Sequence, residues 1–418
     1  MNSPATTPAL PRGWFNLPTR ELEIATSPPK PTLLDKPPGI TIIAPMRFLM
    51  LNWRDPKNPL AGGAERVTLA YLSALVQRGH EACWFTHACP GAPAEEVVDG
   101  IRYIRACGNG SSILKAIRRY RRQPRFDLVM DQHHGLAWFA LWWCGTNCVA
   151  YLHEVLGPIW DTFYPWPLCT IGRWQDRCTH WLYRRVPFWT ACESTRDGLH
   201  RHSVRHVTII RYGVLTRALP VLDAKPLTPP LRLAVVCRLA PNKRVDHCLQ
   251  TLAVLRDRGM AARMAIVGGG ESAPALKREV SELKLDGAVR FTGLLSEADK
   301  DAILRDSHLL LHTSVREGWG LNVIEANALG TPAAVYPVAG LRESTLHDQT
   351  GLVADQETPA SLADRIISLA SDDARYQRYR RGAWERAQTM HWDRILPVAS
   401  EWFEARARGE PTGSQVIP

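Results

Sequence analysis

Two glutamates and a glycine-rich turn lie close together between residues 313 and 326. Glu317 and Glu325 are eight positions apart, and the turn between them leads from the end of a predicted strand into a predicted helix. The backbone amides at Gly320 and Leu321 then open the helix, where they would face a phosphate. A carboxylate such as Glu325 can accept the hydroxyls of a ribose. This pattern predicts a nucleotide site.

Two further groups come after strands of the same half of the chain. Arg238 and Lys243 come after the predicted strand 231–237; an arginine fork and a lysine point charge both suit phosphate oxygens, although such a pair alone is usually a surface feature. Gly268 and Gly270, with Ala273, match the G-x-G-x-x-A dinucleotide pattern after the strand 263–267. The pattern leaves open a nicotinamide-dependent oxidoreductase, or a tight turn that binds nothing.

The elements that must position these residues alternate regularly between apolar strands and helices. Strands are predicted at 48–53, 82–86, 128–131, 148–152, 188–192 and 207–211, and again at 231–237, 263–267, 289–292, 309–313 and 333–336. Near-continuous apolar strands separated by helices indicate parallel sheets covered on both faces. We therefore predict an α/β protein with two tandem doubly wound domains, at 39–214 and 231–390. The Pro-rich stretch 215–230 links them, and a helix near 392–406 opens the last segment, 391–418.

Composition sets broad limits on the class of protein. The chain has 418 residues, a net charge of +10 and 45% hydrophobic residues, which is typical of a globular protein with two cores. Residues 1–38 are Pro-rich and lack periodicity, so we expect a disordered leader without a secretory signal and a cytoplasmic location. The ten cysteines show no zinc or redox spacing and are expected to be buried thiols.

Two segments raise the question of membrane contact. The uncharged run 135–152 is long enough to span a bilayer, but Gly145, Thr146 and Asn147 interrupt it, so a helix, a turn and a strand are expected instead. The basic stretch 115–125 forms an amphipathic helix pattern, which fits either a solvated face or peripheral contact with the inner face of an anionic plasma membrane. No nucleic-acid motif accompanies the positive charge, and we expect no nucleic-acid partner.

The motifs taken together resemble those of the group 1 family of retaining GT-B glycosyltransferases, the relatives of glycogen and sucrose synthases. The resemblance covers roughly residues 47–392. It rests on these segments: Glu317 to Glu325 with Gly318-Trp319-Gly320 between them, Gly330-Thr331-Pro332, Arg238-Leu239 with Lys243, Val267-Gly268-Gly269-Gly270, Phe291-Thr292-Gly293, Gly340-Leu341-Arg342-Glu343, Gly62-Gly63-Ala64-Glu65, His153, and Cys192-Glu193-Ser194-Thr195. Two positions depart from it. Arg211-Tyr212-Gly213 stands where the family usually has Asn-Gly, and Glu271 replaces a proline.

The resemblance implies a GT-B fold, two Rossmann-like domains with a crevice between them, and a role for each matching residue. Arg238 and Lys243 would hold the donor diphosphate, Glu317 would assist the sugar, and His153 would orient the acceptor. The donor-binding set would be Gly62, Gly63, Gly268, Gly269, Gly318, Trp319, Gly320, Leu321 and Glu325. The implied reaction moves a hexose from a nucleotide-sugar to a glycan, a lipid-linked or a small-molecule acceptor, with retention and without a metal ion or other cofactor. A sugar-nucleotide epimerase or an inactive nucleotide-binding module of the same fold remains an alternative.

Overall fold

The computed structural model describes residues 44–58, 61–106, 111–157, 159–411 and 416–417, so the predicted leader 1–38 lies outside the described residues. All elements below belong to one unit, residues 45–418. The first sheet has nine strands in the order β15-β8-β7-β6-β5-β1-β2-β4-β3. Their bounds are Arg47–Leu51 (β1), Glu81–His87 (β2), Glu95–Val98 (β3), Ile101–Ala106 (β4), Leu128–His133 (β5), Asn147–Leu152 (β6), Phe188–Thr190 (β7), Val207–Ile210 (β8) and Val416–Ile417 (β15).

The helices of this part cover the sheet, as expected for parallel strands that are apolar throughout. Their bounds are Gly63–Gln77 (α1), Ser112–Tyr120 (α2), Ile159–Phe163 (α3), Leu168–Leu182 (α4) and Glu193–Arg201 (α5). Helix α1 begins after Gly62, whose backbone amide donates a hydrogen bond of 2.7 Å to the carboxylate of Glu65 in the first turn. This hydrogen bond fixes the glycine turn predicted to lie beside the donor.

The second sheet has six strands, all parallel, in the order β11-β10-β9-β12-β13-β14. Their bounds are Leu231–Val236 (β9), Ala262–Val267 (β10), Val289–Gly293 (β11), Leu309–His312 (β12), Ala333–Val335 (β13) and Gly351–Val353 (β14). The accompanying helices are Val245–Asp257 (α6), Ala273–Glu282 (α7), Glu297–Asp306 (α8), Leu321–Ala328 (α9), Ala339–Ser344 (α10), Pro359–Ala370 (α11) and Asp373–Ala387 (α12). The fold is thus the predicted one, two α/β domains built on parallel sheets.

The last helix, α13 (Trp392–Ala407), packs against α1 of the first domain. The ring of Tyr71 on α1 meets the rings of Trp392 and Phe403 edge to face, with centroids 5.5 Å apart in both pairs. Glu404 accepts a hydrogen bond of 2.9 Å from the Arg78 guanidinium and lies 2.9 Å from the ring Nε2 of His80. Apolar packing and a buried carboxylate together hold α13 on the first domain.

Sequence periodicity missed four strands, β3, β4, β14 and β15, and misread one segment. The β3–β4 pair is antiparallel and joined by a tight turn, while β14 and β15 are three and two residues long; short strands of this kind leave little periodic signal. Residues 135–146 contain only a short 3₁₀ turn, at Ala140–Trp142, instead of the expected helix, before β6 begins. Within the described residues, no helix is long and apolar enough to cross a membrane.

Candidate active site

The predicted site residues of the second domain gather where the strand order reverses. The chain runs from β9 outward through β10 and β11, and then crosses back to β12 on the other side of β9. This reversal between β9 and β12 opens a crevice at the carboxyl ends of the strands. Arg238 and Lys243 come after β9, the glycine loop 268–270 after β10, and Glu317 after β12. Groups that are far apart in sequence, 74 positions in the case of Lys243 and Glu317, therefore share one edge of the sheet.

Lys243, Glu317 and His312 form a cluster at this edge. The Lys243 ammonium lies 2.7 Å from Oε2 of Glu317, and Nε2 of His312 lies 3.1 Å from the same oxygen. Burial disfavours the charged carboxylate, but the charge of Lys243 and the hydrogen bond from His312 outweigh it and hold the pKa of Glu317 well below its ordinary value. Burial likewise opposes the ammonium, yet Glu317 raises the pKa of Lys243. The pair is therefore ionised at neutral pH.

Arg238 is half-buried and forms no ion pair with any of the described residues. Guanidinium groups in proteins are always charged and are rarely buried without a partner. Its position two residues after the end of β9 leaves a positive charge free to meet an anionic ligand. The planar fork of a guanidinium can bind phosphate oxygens.

The glycine loop is held against the loop that carries Arg238. A Cβ at Gly268 would lie 1.9 Å from the carbonyl oxygen of Cys237, and a Cβ at Gly270 would lie 2.3 Å from that of Leu239. Both glycines also have positive φ angles, +131° and +152°. Gly269 instead faces open space, apart from Leu294 at 3.9 Å. Glycines at 268 and 270 are thus needed for the fold of the loop, and Gly269 is the one with room for a ligand beside it.

Glu325 is buried on α9 and is bound by cations from both domains. Its carboxylate lies 3.0 Å from the Lys300 ammonium and 4.0 Å from the Arg66 guanidinium. Lys300 belongs to an Asp-x-Asp triplet, Asp299-Lys300-Asp301, a spacing that can bind metal ions in other transferases. The Lys300 ammonium lies 3.6 Å from the Asp301 carboxylate. Among the described residues, no three or more His, Cys, Asp or Glu side chains are grouped so that they could hold a metal ion.

Residues of the first domain meet α9 and the turn before it. A Cβ on Gly63, at the start of α1, would lie 3.1 Å from the Leu321 side chain, and one on Gly318 would lie 2.7 Å from the carbonyl oxygen of His153. Each glycine lets the two domains approach closely at the floor of the crevice. Gly320, at a φ of +88°, caps α9 in the left-handed conformation that glycine favours. The predicted donor and acceptor sides are therefore in direct contact.

His153 is held by a network of polar side chains from the first domain. Its Nδ1 lies 2.8 Å from the hydroxyl of Tyr212, and its Nε2 lies 2.8 Å from the side-chain amide of Gln132. Gln132 is in turn bonded to the hydroxyl of Thr68 at 3.2 Å. Burial, with a smaller effect of His134, lowers the pKa of His153 to about 3, so the ring is neutral at physiological pH. A neutral imidazole has one donor and one acceptor, and both are engaged within the protein, so a ligand hydroxyl would bond to the ring by displacing one of these partners.

Trp319 is the one predicted donor-binding residue whose side chain lies in the core. It is 1% exposed and packs within the same hydrophobic cluster as Tyr212 and Trp392. The Arg211 guanidinium lies over its ring, 5.1 Å from the centroid. A contact between Trp319 and a donor would therefore involve its backbone, and its indole serves to fix the turn between Glu317 and α9.

Sequence reasoning assigned no role to several charged groups in the crevice. Glu343 of α10 accepts hydrogen bonds of 2.7 and 2.8 Å from the amides of Glu193 and Ser194, which open α5 in the first domain. A carboxylate at a helix N-terminus is stabilising, and this one joins the two domains. Lys300 and Arg66, the partners of Glu325, were also missed. In the sequence, both residues look like any charged residue on a predicted helix, and nothing distinguishes them from charges that face solvent.

Glu154 is the most unusual of the missed residues. It comes directly after His153, and its Oε2 is buried without a hydrogen-bond donor among the described residues; its nearest charged partner is the Arg316 guanidinium at 3.8 Å. Burial, reinforced by the negative charge of Glu317, raises the pKa of Glu154 to about 7. This carboxyl group titrates near neutral pH inside the crevice.

The raised pKa of Glu154 predicts that the free energy of unfolding depends on pH. The carboxyl group has an ordinary pKa near 4.5, so between about pH 4.5 and 7 the unfolded chain releases this proton while the folded protein keeps it, and stability falls as the pH rises. Replacing Glu154 with glutamine removes this effect. We expect Glu154→Gln to match the wild type in urea unfolding at pH 4.5 and to exceed it by about 2–3 kcal/mol at pH 8. If the difference in unfolding free energy between the two proteins stayed constant from pH 4.5 to pH 8, the raised pKa of Glu154 would be wrong.

Both domains of the chain are similar to known glycosyltransferases. The model of the family "Glycosyl transferases group 1" matches residues 224–386, and the model "Glycosyltransferase Family 4" matches residues 61–217. The chain is 25% identical over 415 residues to a glycogen synthase of Mycobacterium tuberculosis, covering 89% of this chain and 98% of that protein. It is 34% identical over 169 residues to a GDP-mannose-dependent phosphatidylinositol dimannoside mannosyltransferase of the same species, covering 40% and 42% of the two chains.

Solved structures show the same fold. A sucrose-phosphate synthase from Thermosynechococcus elongatus aligns with a TM-score of 0.73 and 18% identity, over 87% of this chain and all of that one. HepE from Anabaena, solved in complex with UDP and glucose, aligns with a TM-score of 0.68 and 17% identity, over 86% of this chain and all of that one. The two-domain architecture around the crevice is therefore that of the GT-B glycosyltransferases.

Proposed function

The chain belongs to the group 1 glycosyltransferases, and from this premise we propose that it transfers a hexosyl group from a nucleotide-sugar to a hydroxyl acceptor, with retention of configuration and without a metal ion. The observation that carries the proposal is the pair of cations after β9. Arg238 is charged and unpaired among the described residues, and Lys243 is fixed by Glu317 at 2.7 Å. Together they supply the positive charge that a metal ion supplies in other sites.

The donor would lie across the ends of β9, β10 and β12. Its diphosphate would meet Arg238, Lys243 and the amides that open α9, and its ribose would meet Glu325. As the bond between the sugar and the phosphate breaks, negative charge grows on the leaving diphosphate. The two cations are already in place to stabilise that charge, which is the most effective form of electrostatic catalysis.

The acceptor would approach from the first domain. His153 is neutral and is bonded through its two ring nitrogens to Tyr212 and Gln132, so it would hold the attacking hydroxyl by exchanging the Gln132 amide for that hydroxyl. Glu317 is bound by Lys243 and His312 and therefore acts by holding Lys243 and by its negative charge, rather than as a nucleophile. With no protein nucleophile, retention requires that the acceptor attack from the same face as the departing diphosphate. A phosphate oxygen of the donor would then take the acceptor proton.

Nucleotide binding tests the donor site. We expect one of UDP, GDP and ADP to bind the wild-type protein in calorimetry with EDTA present. Glu325→Gln should weaken that binding by about tenfold or more, because the ribose loses a charged hydrogen-bond partner. Both UDP and GDP are included, since similar proteins are named for GDP-mannose or solved with UDP. Glu385→Gln, on an exposed face of α12, is the matched control and should bind as the wild type does. Equal binding by Glu325→Gln would remove Glu325 from the site.

A further inference from the structure

Helix α4 exposes its large apolar side chains. Leu168, Ile171, Trp174 and Trp181 recur at spacings that place them on one face of the helix, and each is between 53% and 68% exposed. We call this face the α4 stripe. The opposite face is the one that packs on the protein, and its buried members are Cys169, Gly172, Asp176, Thr179 and His180. The large apolar surface of this helix therefore has no partner among the described residues.

The α4 stripe continues into the preceding segment. Phe163, Tyr164 and Trp166 are all exposed, and Trp166 reaches 81%. Aromatic rings of this kind are favoured where one end of the side chain is apolar and the other is wet, as at the surface of a bilayer. The exposed apolar surface therefore extends from the end of α3 to the last turn of α4.

A row of arginines runs along one flank of the stripe. Arg173, Arg177 and Arg184 recur at helical spacing, while Arg185 ends the segment; Arg184 also lies over the Trp181 ring, 4.1 Å from its centroid. The two carboxylates of residues 159–185 do not neutralise this row. Asp161 pairs with Arg173 at 2.7 Å, and Asp176 is buried, where desolvation raises its pKa to about 7. Arg177 and Arg185 carry charges that no described carboxylate meets.

We propose that the α4 stripe, with the aromatic segment before it, docks the protein on an anionic lipid bilayer. The tryptophans and aliphatic side chains would enter the boundary between headgroups and acyl chains, and the arginine row would bind lipid phosphates. A bilayer fits better than a protein partner because apolar and cationic rows run side by side along a whole helix, which matches a uniform anionic layer.

The position of the stripe gives the docking a role in the reaction. Helix α3, at the start of the exposed segment, contacts the turn Pro241–Lys243 across the crevice, and His153 and Glu154 lie just before it. A protein held by this surface would present its acceptor side to the bilayer. This part of the inference rests on the proposed function, whereas the docking itself does not.

Helix α2, at the start of the basic stretch 115–125, does not expose an apolar stripe of this kind. Its residues Ile113, Ala116 and Tyr120 pack into the core of the first domain, and Leu114 is the one large apolar side chain of this helix that is more than half exposed. Arg119 forms an ion pair with Glu95. Helix α2 is therefore a solvated face packed on the sheet, one of the two interpretations that its sequence allowed.

The test is co-sedimentation of the full chain with vesicles. We expect binding to vesicles of phosphatidylcholine with about 30% phosphatidylglycerol, and at least about tenfold weaker binding to phosphatidylcholine alone. Ile171→Ser/Trp174→Ser should weaken binding to the anionic vesicles by about tenfold or more, since two large apolar side chains leave the interface. Both sites are exposed, so the variant should fold, which retained nucleotide binding would verify separately from the membrane result.

Two sets of variants serve as controls. Val97→Ser/Leu294→Ser removes exposed apolar side chains elsewhere and should bind like the wild type, as should Arg118→Gln/Arg121→Gln/Arg122→Gln on and just after α2. The proposal would be wrong if the wild type did not bind the anionic vesicles. It would also be wrong if Arg118→Gln/Arg121→Gln/Arg122→Gln lost binding while Ile171→Ser/Trp174→Ser kept it. A wild-type dimer, seen by light scattering, that Ile171→Ser/Trp174→Ser converts to a monomer would overturn it as well, because the stripe would then be a protein interface.

Discussion

Replacing Arg238 with alanine is expected to lower kcat for sugar transfer by about a hundredfold to a thousandfold. We expect a large loss because the guanidinium has no ion-pair partner among the described residues and, in the proposed mechanism, would face the charge that develops on the leaving diphosphate. One preorganised donor of this kind contributes that much to catalysis. KM for the donor should change much less than kcat, because the interaction strengthens in the transition state. Steady-state kinetics with saturating donor measure both.

The matched control for this variant is Arg258→Ala. Arg258 also belongs to the second domain but is exposed at the end of α6, where it pairs with Asp364 on the surface. Its removal should leave kcat within about twofold of the wild type, since exposed ion pairs contribute little. If Arg238→Ala kept more than about a tenth of the wild-type kcat, Arg238 would have no place in the mechanism.

The second large effect is expected at Glu317. Glutamine at this position keeps the shape of the side chain but removes its charge, so Lys243 and His312 lose their ionised partner. We expect Glu317→Gln to lower kcat by at least about a hundredfold, and to lower the free energy of unfolding by roughly 2–4 kcal/mol, because a largely buried ammonium is left unpaired.

A double variant separates these two effects. Lys243→Met/Glu317→Gln removes both charges, so it should recover part of the lost stability without recovering any activity. Urea unfolding and initial rates, measured on the same preparations, give both quantities. Recovery of activity in the double variant would show that Glu317 matters only for folding, and the electrostatic role given to the pair would be wrong.

Much of this site was predictable because its signals are local. Glu317, the glycine turn and Glu325 lie close together in the chain, and their spacing alone places them at the start of a helix. The alternation of apolar strands and helices likewise predicted the two parallel sheets. Because the loops after parallel strands gather at one edge of the sheet, Arg238 and Lys243 could be assigned to the same site.

The remainder of the site depends on contacts that no local pattern encodes. The pairing of Lys300 with Glu325, and the binding of the α5 amides by Glu343, join residues from distant parts of the chain. Glu154 looks like any acidic residue in sequence, and only its burial beside Glu317 makes it unusual. Trp319 shows the opposite case, since its motif indicated a donor contact, whereas tertiary packing places its indole in the core.

The most direct test of the central claim is donor cleavage by the wild-type protein in the presence of EDTA. UDP-, GDP- and ADP-hexoses would each be supplied with maltooligosaccharide or inositol phosphate as probe acceptors, and with water alone, and the released nucleoside diphosphate would be quantified. We predict release from one class of donor, undiminished by EDTA and nearly absent in Arg238→Ala. No release from any donor, release only after a divalent metal ion is added, or equal release by Arg238→Ala would contradict a metal-independent transferase built on Arg238 and Lys243.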